Sequence, residues 1–189
     1  MRKPHRFAYS ARMAAPARSG VTIHEVVTQC VETLKTLEAW FDKAERHAAV
    51  KGFDASVLLA SRLAPDMFDF IYQVQSTCDY VKGAAAWLSG QTPPRHPDDE
   101  KTLGELRARI RKTVAFVDTV TAAQYSGASE RKVRLSWAPG KVLSGPDYLL
   151  QITLPNVFFH ASMAYAILRH NGVDVGKMDF LGAIRFVDE

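Results

Sequence analysis

Two stretches of apolar residues spaced alternately four and three apart constrain this chain more than anything else in it. From Thr22 to about Ala49, Ile23, Val27, Cys30, Leu34, Leu37, Phe41 and Ala44 keep that rhythm. From Asp66 to about Leu88, Met67, Ile71, Val74, Cys78, Val81, Ala85 and Leu88 repeat it. Such spacing holds one stripe of a helix against a partner helix in knobs-into-holes packing, so the chain is expected to be all-α and bundled. Thr22 with Glu25 three residues on has the pattern of a capping box for the first helix. Lys51-Gly52-Phe53-Asp54 ends that helix, and Ala64-Pro65-Asp66 leads into the second.

The remainder reads as two more helices. Gly90 to Pro97 holds three prolines, each lacking a backbone donor, and can only be a bundle-end loop. A third helix is expected from about Asp98 to Thr119, with Leu103, Leu106, Ile110, Val114 and Val117 inside and Arg107, Arg109, Arg111 and Lys112 as a solvated outer face. Asp79 and Lys82 read as a surface pair on helix two, and Tyr80, Trp87 and Tyr165 as packing residues. From Arg131 the period changes to alternation, with Val133, Leu135 and Trp137 on one side, and Pro139-Gly140 supplies a turn. A small β-hairpin is therefore expected before helix four. That helix should start at Ser144-Gly145-Pro146-Asp147 and stop at Asn171-Gly172. Its two apolar stripes, one through Leu150, Leu154, Val157, Ala161, Ala164 and Leu168 and the other through Leu149, Thr153, Asn156, His160, Met163 and Ile167, predict the most buried helix of the four. The tail from Val173 is expected to pack back in extended form through Met178, Phe180 and Leu181.

Composition excludes several functions. The formal charge of +4 resides in residues 1–20, where Arg2, Lys3, Arg6, Arg12 and Arg18 face no acid; the rest holds 19 basic against 20 acidic residues. The body has no electrostatic footprint for nucleic acid, and residues 1–20 read as a basic extension outside one domain spanning 21–189. No apolar run is long enough to span a membrane. Two cysteines, 48 positions apart, make neither a disulfide scaffold nor a thiolate zinc site, and a cytoplasmic, reducing setting is the expectation.

Chemistry concentrates at Asn156 and His160, four apart and so on one face of helix four, beside Pro155, which frees a backbone carbonyl. On helix two, Gln75 flanks the seam and could face His160, a buried polar group needing a partner. His24, His47, His96 and His170 read as ordinary surface residues, and no nucleophile elbow or phosphate loop is present.

The segments Leu63-Ala64-Pro65-Asp66-Met67-Phe68, Gln73-Val74-Gln75, Leu154-Pro155-Asn156 and Gly176-Lys177 with Asp179-Phe180, together with Leu168-Arg169, resemble the DinB/YfiT-like superfamily of four-helix bundles. Within it they are similar to the uncharacterised DUF1993-type branch. The resemblance covers roughly residues 22–182 and implies an up-and-down bundle. In that superfamily a metal triad is usual: one His on helix two and H-x-x-x-H on helix four, about nine residues before a Leu-Arg pair. By that resemblance His160 stands at the second helix-four ligand, Asn156 at the first, and Gln75, or else Gln73, at the helix-two position. With amides at two of three places no metal cofactor is expected; a divalent ion, if any, would sit on His160. The resulting expectation is a small organic molecule bound in a metal-free pocket lined by Gln75, Asn156 and His160. The alternatives are an enzyme of transferase, isomerase or lyase type with His160 as general base or residual metal ligand, and a structural module that pairs as a homodimer. No nucleic-acid or membrane partner is expected.

Overall fold

The computed structural model of the protein describes residues 20–188. The basic extension expected over residues 1–20 lies outside them except for Gly20. Four long helices form the bundle: α1 (Ile23–Lys51), α2 (Phe70–Ser89), α3 (Leu103–Asp118) and α4, which runs over residues 145–170. Short 3₁₀ turns and a two-stranded ladder, β1 (Lys132–Val133) against β2 (Leu143–Ser144), join α3 to α4, and a five-residue helix, α5 (Lys177–Leu181), follows. The all-α bundle with a hairpin before its last helix agrees with the architecture expected from the apolar spacing. No helix among the described residues is long and apolar enough to cross a membrane.

The first helix forms where its sequence says. Thr22 accepts from the Glu25 amide while the Glu25 carboxylate takes the Thr22 amide, and Gly52 closes the other end at φ 75°, a left-handed conformation that glycine adopts without steric cost. Val27, Cys30, Leu34, Leu37, Phe41 and Ala44 are all buried in the core. Cys78 joins them from α2, and burial pushes both thiols up to about 12.

Helix two departs from expectation at its start. It begins at Phe70, not Asp66, because Asp69 provides the cap, its carboxylate accepting from the Tyr72 amide; Met67 stays in the preceding turn. Fourteen of its 20 residues are buried, making α2 rather than α4 the most enclosed helix. The reason is positional: α2 packs on α1, α3 and α4 at once, whereas α4 leaves Leu150, Phe158 and Phe159 exposed.

A change of helical pitch explains how α4 spends its apolar surface. Its residues Gly145–Asp147 are α-helical, Tyr148–Thr153 form a π-helical segment, and Leu154–His170 resume the α-helix. The Leu154 amide donates to the Leu149 carbonyl, five residues back. That wider turn shifts register, burying Leu149 and Thr153 and turning Leu150, expected on the inner stripe, out to 61% exposure. Pro155 then falls just inside the resumed α segment, where a missing N–H is tolerated.

The hairpin and tail are shorter than their patterns suggest. Only Lys132↔Ser144 and Val133↔Leu143 pair, so Val133 is buried while Trp137 is exposed at the tip. The tail is helical at α5, not extended. Of its expected anchors only Phe180 packs inward, stacked on Trp40 and edge-on to Tyr165, while Met178 and Leu181 stay exposed. Trp40 Nε1 donates to the Asp179 carbonyl, and Lys43 pairs with the Asp179 carboxylate at 2.6 Å, fastening α5 to α1.

Candidate functional site

His160 is buried on α4, as an inward stripe position should be. Its partner is Gln73, not Gln75: Gln73 Nε2 donates to the Phe68 carbonyl, which turns Oε1 toward His160 Nδ1 at 2.8 Å. The imidazole must donate from Nδ1, leaving the lone pair on Nε2. Burial lowers the His160 pKa, so the neutral ring is favoured. Tyr72, Tyr80 and Phe159 pack around it, with Tyr80 stacked at 5.7 Å between ring centres. A neutral, oriented imidazole is able to accept a proton, but neither of its expected companions bonds to it.

Those companions face elsewhere for a simple geometric reason. Successive helical residues turn by about 100°, so Gln73 and Gln75, either side of the Val74 seam, point to opposite neighbours. Gln73 meets α4, whereas Gln75 meets the segment before α3, its Nε2 donating to Glu100 Oε2 at 2.7 Å. Asn156 is half-buried and spends its amide on its own helix, donating to the Ile152 carbonyl at 2.6 Å. The expected trio of Gln75, Asn156 and His160 is therefore not brought together.

The same geometry tests the metal that the superfamily would carry. One imidazole whose Nδ1 is committed to an amide oxygen, an asparagine turned to the backbone and no further His form a donor set that does not fit a zinc-type centre. Among the described residues, no three His, Cys, Asp or Glu side chains come together in a way that could hold a metal ion.

One helical turn further along α2 the structure reveals a polar cluster that the sequence reading placed in solvent. Arg109, expected on the wet face of α3, is 3% exposed. Its guanidinium donates to the Pro97 carbonyl at 2.9 Å and to Glu100 at 3.0 Å, and pairs with Asp79 at 2.9 Å and Asp98 at 2.8 Å. Burial pushes the Glu100 carboxyl up, but the hydrogen bonds from Gln75 and Arg109 outweigh it and hold the group below the usual range. Arg109 thus fastens the proline-rich loop to α2 and α3. Lys82, expected on the surface, is also buried, and its ammonium donates to Asp79 Oδ1 at 2.7 Å, the atom that Arg109 also holds. A hint lay in the spacing: Arg109 is three residues from Leu106 and four from Thr113, both buried, just after the acidic run Asp98-Asp99-Glu100.

Beside this cluster lies a cleft of about 440 Å³, lined by Asp79, Tyr80, Lys82, Gly83, Trp87, Pro93, Pro94, Arg95, His96 and Tyr148. Three aromatic rings and two prolines form apolar walls, and Lys82 sits within them. The size and make-up suit a small-molecule site. His96, expected on the surface, is buried, and its Nδ1 has no hydrogen-bond partner. Burial and then the nearby Lys82, Lys112 and Arg109 charges lower its pKa. A Cβ at Gly83 would lie 3.0 Å from the Tyr148 hydroxyl, so any side chain there enters the space beside that ring. A smaller pocket of about 250 Å³ between α1 and α3 is lined by His24, Tyr125 and the Glu32–Lys35 pair.

Comparison with known proteins agrees with this architecture. A family model described as a domain of unknown function, DUF1993, matches residues 23–181. The chain is also similar to a DinB family member protein from Shewanella denitrificans of known crystal structure. The two are 42% identical, the match covers 88% of this chain and 96% of that one, and the TM-score is 0.85. No curated protein matches the chain. With the model spanning the bundle from the first turn of α1 to the end of α5, the chain belongs to the DUF1993 family and is built as a DinB-like helical protein.

Proposed function

We propose that this protein binds a small organic molecule, without a metal, in the cleft between α2, the 90–102 loop and the start of α4. The observation that carries this is the cleft itself: about 440 Å³ of space walled by Tyr80, Trp87 and Tyr148 around a buried lysine. Aromatic walls give a flat ligand apolar contact, and a few fixed polar groups orient it. The site expected at Gln75, Asn156 and His160 is thereby moved by about one turn of α2. His160 contributes from behind, stacked on Tyr80, one of the lining residues.

Filling the cleft from α2 tests the reading. Gly83→Leu places a side chain against the Tyr148 hydroxyl and replaces a mid-helix glycine with a better helix former. In a ligand-observed NMR screen of two-ring aromatic fragments, wild-type protein is expected to show binders that the folded Gly83→Leu variant loses. Equal binding by both proteins would place the site elsewhere.

A second reading rests on a different surface. Phe68, 62% exposed, stacks on Tyr72 at 3.8 Å, and Phe159, 53% exposed, lies edge-on to His160. Exposed aromatics gathered along the α2–α4 edge favour pairing with a second copy of the chain. Light scattering would then return twice the 21.0 kDa chain mass, and Phe68→Ser with Phe159→Ser would return the single mass. A wild-type protein that stays at the single mass at high concentration would exclude it.

A further inference from the structure

The charges around the cleft are not arranged as a surface ion pair would be. Asp79 Oδ1 is approached from the cleft side by Lys82 at 2.7 Å and from the loop side by Arg109 at 2.9 Å. Its negative charge is thus shared, and the Arg109 share lies outside the cleft lining. Lys82 Nζ meets Asp79 and no other group among the described residues, although an ammonium carries three donors. Two donors on a buried cation stay open for a ligand, at a place where burying an unmatched charge is costly. Arg95 stands exposed on the same rim, so Lys82 is the buried cation of the lining. His96, with an unpartnered buried Nδ1, adds a neutral polar group to that wall.

Resting on the small-molecule reading of the cleft, we propose that its ligand class is a flat organic monoanion, a carboxylate on an aromatic or similarly planar apolar body. Its carboxylate pairs with Lys82, and its body lies among Tyr80, Trp87, Tyr148 and the Pro93-Pro94 wall. One buried ammonium with open donors matches a single carboxylate, whereas Arg95, exposed on the rim, adds little to hold a second negative charge. A cation would meet Lys82 and Arg95, and a neutral body would leave the ammonium donors unmatched. Lys82 acts here as a charge partner held in place by Asp79, with no covalent step.

Calorimetric titration of the full chain with 2-naphthoate, 2-naphthamide, 2-naphthyl phosphate and 2-naphthylmethylamine tests this. The carboxylate is expected to bind roughly 10- to 100-fold more tightly than the amide, as hydrogen bonds to charged groups are worth about 1.5–3 kcal/mol. Lys82→Gln should erase that preference while moving amide binding less than about threefold. Because the acid-to-amide ratio is read on wild-type protein, the proposal stands or falls even if Lys82→Gln does not fold. Equal binding of acid and amide would overturn the anion class and leave the cleft reading intact. Tightest binding of the phosphate or the amine would overturn the monoanion in favour of a dianion or a cation. No binding by any of the four would remove the anion class and the small-molecule reading together.

Discussion

Arg109→Ala is expected to destabilise the protein by about 3–5 kcal/mol, because removing one partner leaves buried opposite charge uncompensated. The Glu100 side chain, 9% exposed, would lose its Arg109 bonds while keeping the one from Gln75, and Asp79 would keep its bond from Lys82. Asp79 and Asp98 are more open and contribute less, so most of the loss is assigned to Glu100 and to the Pro97 carbonyl. For a chain of this size each kcal/mol moves Tm by roughly 2–4 °C, so thermal unfolding should fall by on the order of 10 °C. A loss of under ~1 kcal/mol would mean that the ion cluster does not hold the loop.

Gly145→Ala is the second large effect. A Cβ built on Gly145 lies 1.9 Å from the Ala128 carbonyl oxygen and 2.9 Å from its carbon, both backbone atoms that cannot rotate away. The Gly145 amide also donates to the Arg131 carbonyl at 3.0 Å, so the start of α4 is pinned to the connection it would have to leave. Overpacking of this kind costs typically 1–3 kcal/mol, and a clash with rigid backbone should reach about 3 kcal/mol or more. Tyr148, three residues on and a wall of the cleft, would move with it. Chemical denaturation is expected to show the loss, together with weakened fragment binding. Wild-type stability in the variant would mean that α4 and the preceding turn do not meet as described.

The elements of this fold were legible where a single helix face decides burial. Val27 to Ala44 on α1, Thr22 and Gly52 at its ends, and Ser144 capping α4 are local matters, set by spacing and capping chemistry. What depends on a helix having several neighbours was not. A seam drawn through Val74 and Cys78 assumes one partner, yet α2 has three, so Gln73 and Gln75 on either side are both buried and serve different neighbours. Arg109 and Lys82 belong to the same class: long charged side chains read as solvated until a loop folds over them. The π-helical segment of α4 is also silent in sequence, and it alone decides that Leu150 faces out while Leu149 and Thr153 face in.

The candidate site was legible only in its neighbourhood. The interest of α2 facing α4 was plain from His160, and the structure does bury that residue against a glutamine of α2. The cleft itself draws on Tyr80, Lys82, Gly83 and Trp87 of α2, on a loop whose prolines signal only a break, and on Tyr148. No periodic pattern links residues contributed by three separate segments, and an aromatic residue on a bundle helix looks the same in sequence whether it fills the core or lines a cavity.

The central claim is the position of the binding site, and a backbone amide chemical-shift map recorded while titrating 2-naphthoate tests it most directly. Shifts concentrated at Tyr80, Lys82, Gly83, Trp87, His96 and Tyr148 are the predicted result, with Asn156 and the α1–α3 pocket around His24 unmoved. Shifts centred on Asn156 and His160 with the cleft residues silent, or no shifts at all, would contradict it.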